Sequence, residues 1–220
     1  MNRKVLRNVL IFIFTLLILD QILKIYIKTH FLLGEEVNVI GHWFRLNFVE
    51  NNGMAFGLHL KGAIGKYLLS TFRIIAASAI MWYLLKIIRD KKPMIYIFAI
   101  ALIFAGATGN IIDSMFYGII FEASPIYGSG AAPTAIFSDG YSGFLQGKVV
   151  DMFYVPLIHG YYPSWIPFKG GQEFLFFRPV FNLADSYISI AVVLILIFSK
   201  RMFPKEKNEE TKTAETTAEE

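Results

Sequence analysis

The stretch Met94-Ile-Tyr-Ile-Phe-Ala-Ile-Ala-Leu-Ile-Phe-Ala-Gly-Ala-Thr-Gly-Asn110-Ile-Ile112 runs for 19 residues without a charge and then meets Asp113. A bilayer core about 30 Å thick is crossed by ~20 mostly apolar residues in an α-helix, so the stretch reads as a transmembrane span. Working outward, three further stretches of similar length qualify, near residues 9–27, 67–88 and 183–203. The composition agrees: of 220 residues, 55% are hydrophobic and only 17% charged, which argues against a soluble domain. No cysteine is present, which excludes disulfides, thiolate catalysis, Cys-ligated zinc and iron–sulfur clusters. The segment from Pro204 onward carries three Lys and six Glu. Without it, 18 basic residues face 11 acidic ones, an excess that suits anionic lipid better than nucleic acid.

Basic residues cluster at Arg3, Lys4 and Arg7, at Lys86, Arg89, Lys91 and Lys92, and at Lys200, Arg201, Lys205 and Lys207. Four alternating spans put all three clusters on one side, which the positive-inside rule makes cytoplasmic. Both termini are then inside, and residues 28–66 and 113–182 outside. The first span lacks a small-x-small cleavage site and is read as retained. The first outer segment, at 37–49, is rich in β-branched and aromatic residues and precedes the turn signal Asn52-Gly53, so a small strand or hairpin is expected there. The second holds six of the eight prolines and many aromatics, and is expected to lie on the bilayer surface. Residues 205–220 cannot build a core and are read as a disordered cytoplasmic tail.

Ionisable groups at membrane depth cost at least ~2.5–3.5 kcal/mol and are functional candidates by default. Asp20, Asp113, Asp151 and Asp185 all fall toward the outer face in this topology. Asp20 and Lys24 are four residues apart and share a helix face, where they can neutralise each other as a structural pair. Asp113 ends the third span, after small residues that allow close helix approach, and Asn110 offers an amide to a neighbour. Asp151 and Asp185 have no cation at helical spacing. Asp185 suits either N-terminal capping or catalysis. Two carboxylates brought together share a proton, so that one can activate water while the other polarises a carbonyl. Metal chemistry is not expected, because His30, His42, His59 and His159 are scattered singly. The short match Gly140-Tyr-Ser142-Gly143 to a serine-protease signature lies in a Pro/Gly-rich loop rather than a span.

Five blocks, Asp20-Gln-Ile-Leu-Lys24, Asn51-Asn-Gly53-Met-Ala-Phe56, Gly109-Asn110-Ile-Ile-Asp113, Val149-Val-Asp151-Met-Phe153 and Phe181-Asn182-Leu-Ala-Asp185-Ser186, follow one another in an order that resembles the lipoprotein signal peptidase (signal peptidase II) family. The resemblance implies a mainly α membrane protein with four transmembrane helices, a small extracytoplasmic β-cradle and interfacial loops, residues 1–204 forming a single membrane-embedded catalytic domain. It implies an aspartic endopeptidase of the bacterial cytoplasmic membrane that removes signal peptides from diacylglyceryl-modified prolipoproteins. Asp151 and Asp185 match the family's catalytic pair, and Asp20, Lys24, Asn51, Gly53, Asn110, Asp113 and Asn182 match substrate-binding or supporting positions. No cofactor, metal or nucleic acid is implied; the partners are the substrates and membrane lipid, and the enzyme is expected to be monomeric. The alternative is a non-enzymatic polytopic protein, a transporter subunit or a scaffold. Two departures stand out. Ser114 replaces the family's usual Arg, with Arg178 and Lys148 as candidate replacements. The intervals Asp113 to Asp151 and Asp151 to Asp185, 38 and 34 residues, exceed the usual spacing, leaving insertions around 114–147 and 154–180 without an assigned role.

A reporter fused after Lys207 is expected to be active only in a form that requires the cytoplasm; activity confined to the exterior overturns this orientation.

Overall fold

A backbone in hydrocarbon must satisfy its own N–H and C=O groups, and each long apolar stretch does so as a helix. The structure is a computed structural model that describes residues 2–52, 63–134, 139–176 and 179–202. Four helices are long and apolar enough to cross a membrane, counting the continuation of the third. Helix α1 spans Arg3–His30, α2 Ala63–Arg89 and α3 Met94–Ile112. A short turn, α4, covers Gly118–Ile120, and the last span, α5, is Leu183–Met202. The first helix starts earlier than its apolar run because the side chain of Asn2 caps it, accepting from the backbone N–H of Lys4 and Val5 at 3.1 and 3.4 Å.

The third span does not end at 112 as its sequence suggests. It continues through a π-helical turn, Asp113–Tyr117, into α4, so the apolar helix runs from Met94 to Ile120. Asp113 fails to stop it because its charge is neutralised by a neighbouring helix, as described below. This helix is the centre of the bundle: 56% of its most apolar window is buried, against 17–22% in the other three. The bundle core joins Val9 and Ile13 of α1, Leu84 and Ile88 of α2, Ile97 and Ala101 of α3 and Tyr187 and Ala191 of α5. Outward faces carry exposed Phe14, Ile18, Ile22, Phe72, Trp82 and Leu196, as helices solvated by lipid would.

Two glycines of α3 allow close approach of its neighbours: Gly106 admits α5, and Gly109 admits the Asp20 side chain of α1. A β-carbon at Gly106 would collide with the Ala184 carbonyl, and one at Gly109 would lie 2.6 Å from Asp20 Oδ2. Small residues at such crossings replace the hydrophobic drive that lipid does not supply.

The outer segments form a four-stranded sheet ordered β1-β2-β3-β6, from Glu36–Ile40, Phe44–Asn51, Val149–Tyr154 and Val180–Phe181, with all neighbours antiparallel. The expected hairpin forms between β1 and β2 and turns at Gly41-His42-Trp43, with Gly41 at φ +53°; Gly53 of the Asn52-Gly53 turn signal lies outside the described residues. The sheet docks on the bundle through Ile27, Phe48, Tyr117, Phe121, Val150 and Met152, all buried. Within the second insertion, β4 (Ile158–Tyr161) and β5 (Glu173–Phe176) pair as a separate antiparallel hairpin, which the Pro/Gly-rich composition did not reveal. Residues 205–220 fall outside the described residues.

Replacing Gly106 with Val overpacks the α3–α5 crossing, a change that typically costs ~1–3 kcal/mol. The expected result is a lower unfolding midpoint in detergent than for a Val substitution at lipid-facing Leu196.

Candidate active site

Helix α1 brings Asp20 and Lys24 to the same face, one turn apart, and both side chains are fully buried. Lys24 Nζ lies 3.0 Å from Asp20 Oδ2 and 2.9 Å from Asp113 Oδ2, and it donates to Asn110 Oδ1 at 2.8 Å. An ammonium has three donors, and all three are used. A carboxylate without such a partner would be strongly penalised here, so the pair is a condition for burying both aspartates. Gln21 completes the group, donating to Asp20 Oδ2, Asp113 Oδ1 and the Gly109 carbonyl, and accepting from Tyr117 OH.

The two neutralised carboxylates each hold a neighbour of another aspartate. Asp20 Oδ1 accepts the Ala184 N–H at 3.0 Å, which fixes the first turn of α5 beside Asp185. Asp113 Oδ2 accepts the Val150 N–H at 3.2 Å, which fixes β3 beside Asp151. Asp20 and Asp113 thus position the backbone on which Asp185 and Asp151 sit.

Asp151 and Asp185 are linked through two amides. Asn182 Nδ2 donates to Asp151 Oδ1 at 2.7 Å and to Asn110 Oδ1 at 3.0 Å, and Asn110 Nδ2 donates to Asp185 Oδ1 at 2.8 Å. The orientation of Asn110 is set by Lys24: its oxygen must face the ammonium, so its NH2 faces Asp185. Asn182 and Asp185 also cap α5 reciprocally, the Asp185 N–H reaching Asn182 Oδ1 at 2.9 Å and the Asn182 N–H reaching Asp185 Oδ2 at 3.4 Å. The capping reading of Asp185 and its place in the site therefore coexist. Asn51, at the end of β2, donates to Asp151 Oδ2 at 3.1 Å. Burial, reinforced by the charge of Asp185, pushes the Asp151 carboxyl up to about 7 against the pull of Asn51 and Asn182. Of the residues singled out by sequence, eight converge here and Gly53 lies outside the described residues.

Among the described residues, the cation near Ser114 is Arg73 rather than Lys148. Arg73, from the middle of α2, places Nη1 3.4 Å from Ser114 Oγ, which in turn donates to the Asn110 carbonyl at 3.0 Å. Its guanidinium lies within electrostatic reach of Asp185, Asp113 and Asp151. A basic residue inside an apolar span is expensive, and that alone could have marked it. Arg178 lies outside the described residues. Lys148 serves elsewhere, 2.8 Å from Glu50 Oε2, in a second buried network that sequence reasoning missed. There Lys28 Nζ meets Glu50 Oε1 at 2.6 Å and Ser124 Oγ at 2.8 Å, with the Phe121 and Tyr141 rings each 5.2 Å from the ammonium. Burial alone would raise the Glu50 carboxyl, but Lys28 and Lys148 hold it below its usual value. This network ties the first insertion to α1 and β2. Ser142 of the Gly-x-Ser-Gly match donates to the Gln146 carbonyl and closes its own turn.

A family model described as "Signal peptidase (SPase) II" matches residues 12–201. The chain belongs to the signal peptidase II family. It is 47% identical over 183 residues to the lipoprotein signal peptidase of Porphyromonas gingivalis, covering 83% of this chain and 78% of that one. With the lipoprotein signal peptidase of Amoebophilus asiaticus it shares 34% identity over 204 residues, covering 90% and 81%. Among solved structures, a bacterial membrane enzyme determined by the in meso method at 2.3 Å is similar with a TM-score of 0.58 and 26% identity, covering 92% of this chain and 93% of the other. As a signal peptidase II, the chain is a peptidase, and its four apolar helices fit a multi-pass protein of the bacterial inner membrane.

Lys24→Met leaves Asp20 and Asp113 buried without their cation, a loss that typically costs ~3–5 kcal/mol. The variant is expected to unfold at markedly lower temperature than wild type, whereas Lys86→Met at the exposed end of α2 leaves the midpoint within experimental scatter.

Proposed function

We propose that this chain is an intramembrane aspartic endopeptidase that cuts diacylglyceryl-modified prolipoproteins just before the lipidated cysteine, with Asp151 and Asp185 as its catalytic pair. The observation that carries the reading is a division of labour among four carboxylates. Two are neutralised by Lys24, while the other two are joined through Asn182 and Asn110, with the Arg73 guanidinium within electrostatic reach. Such a pair retains one proton between its members near neutral pH.

The chemistry follows from that proton. Asp151, whose carboxyl is pushed up to about 7, holds it and donates a hydrogen bond to the scissile carbonyl oxygen. Asp185, ionised in the first turn of α5, accepts a proton from water as the water oxygen attacks the carbonyl carbon. The tetrahedral intermediate then collapses. The C–N bond breaks, the leaving amine takes a proton from Asp185, and the pair returns to its singly protonated state. Asn51 and Asn110 are uncharged donors that steady the carboxylates without competing for the proton.

In this reading both termini are cytoplasmic, the site lies near the outer face, and residues 1–204 act as one monomeric catalytic domain. A site open sideways to lipid lets the substrate's diacylglyceryl chains remain in the bilayer. The scissile backbone must be unwound from its helix to be cut, and irregular backbone at this depth is tolerated only inside a protein-lined, polar cavity.

Asp151→Asn and Asp185→Asn are each expected to lower turnover by about 10²–10⁴-fold while the substrate still binds, as read by gel-shift cleavage and by binding of lipidated substrate. The shared proton is lost as pH rises through about 7, so kcat/KM falls on the alkaline side. Removing the Asn51 amide withdraws a donor that favours the ionised form. Asn51→Ala should therefore move the alkaline limb to higher pH; a limb that stays in place, or moves down, contradicts the assignment.

A further inference from the structure

A cavity of about 570 Å³ opens away from the aspartates, at the far end of the sheet. Its walls come from three places in the chain: Trp43 in the β1–β2 turn, Arg45 and Tyr154 at the paired ends of β2 and β3, and Leu157 just before β4 with Glu173 at the start of β5. That size lies within the range of ordinary ligand sites. Without the second insertion the cavity would lack its outer wall.

The sheet register relates this cavity to the site. Val49 lies opposite Asp151, and Arg45 opposite Tyr154. Three residue steps along β3 take the backbone from Asp151 to Tyr154, roughly 10 Å at ~3.3 Å per step. Because side chains alternate along a strand, Tyr154 and its partner Arg45 lie on the sheet face opposite Asp151, so an extended peptide whose scissile bond sits at the aspartates would reach the cavity only past the end of the sheet, beyond about its fourth residue. The polar wall is already organised. Arg45 Nη1 pairs with Glu36 Oε1 at 2.6 Å, its Nε donates to the His42 carbonyl at 2.9 Å, and its guanidinium lies 5.9 Å from the centre of the Tyr154 ring. Trp43 and Leu157 remain more than half exposed. A fixed ion pair lined by an indole, a phenol and an aliphatic side chain favours a polypeptide with an apolar or aromatic residue over a free ion or a sugar.

We propose that this cavity binds the mature side of the substrate, the residues that follow the lipidated cysteine, and that the second insertion exists to build it. The proposal rests on the peptidase reading above. The signal side is an apolar helix that must stay among the spans, near the Asn51 and Val149 end of the ladder. The mature side is the part that leaves the membrane, and the opposite end of the sheet lies along its path.

The test uses the full-length enzyme and two lipidated substrates with the same signal peptide, one ending two residues after the cysteine and one extended by ten. Wild type is expected to show a KM for the long substrate on the order of tenfold below that for the short one. In Trp43→Ala and Leu157→Ala that ratio should approach one. A second measurement uses a photoreactive phenylalanine just past the fourth mature residue, with Asp151→Asn enzyme to prevent turnover; crosslinks should fall within residues 154–176. Equal KM values in wild type, or crosslinks confined to the spans, overturn the cavity's role while leaving the peptidase intact. Failure of wild type to cut either substrate overturns the peptidase reading and the proposal with it.

Discussion

Everything at the centre of this protein depends on one ammonium being placed where water cannot reach it. Lys24 spends its three hydrogen bonds on Asp20, Asp113 and Asn110, and each partner governs a different element. Through Asp20 it holds the start of α5, and through Asp113 the start of β3. Through Asn110 it turns an amide so that its donor end meets Asp185. A buried ion pair is weak evidence for stability in general, because desolvation offsets most of the attraction. Its value here is geometric: it fixes which way three neighbours face.

The same economy explains why four carboxylates can share one end of a membrane bundle. Left alone, each would take up a proton and lose its charge. Two are supplied with a cation and become structural; the other two are supplied with amides from Asn51, Asn110 and Asn182. Asp113 also bears on helix geometry, since the π-helical turn begins at that residue, and such turns recur where a helix must aim side chains for a purpose. Arg73 adds a positive charge at the rim, from a helix that contributes nothing else to the polar group described above.

Much of this was legible in the sequence, for physical reasons. Apolar length identifies spans because the bilayer sets a minimum, and the Asp20–Lys24 spacing identifies a pair because a helix repeats every 3.6 residues. The capping reading of Asp185 likewise followed from its position before a long apolar run. Other features depended on tertiary neighbours that no local pattern encodes. The third span looked finished at Asp113 because its neutralising lysine is 89 positions away. Lys148 looked available until Glu50, nearly a hundred residues distant, was seen to hold it. The expected hairpin was legible in its β-branched and aromatic residues, but the place of its reversal, at Gly41 with its positive φ, was not. Arg73 was visible as a charge in an apolar run, yet its meaning needed the place where α2 meets Ser114.

The tie between Asp20 and Ala184 joins the first span to the last across 164 residues. A chain still emerging from its ribosome can insert three spans and settle Lys24 against Asp113, but Asp151 lacks Asn182, and Asp185 of the last span has not been made. The proposed reactive centre is thus completed only once the last span has joined the first three. On the proposed assignment, a peptidase whose own chain is threaded through the membrane it occupies stays inert until that span arrives.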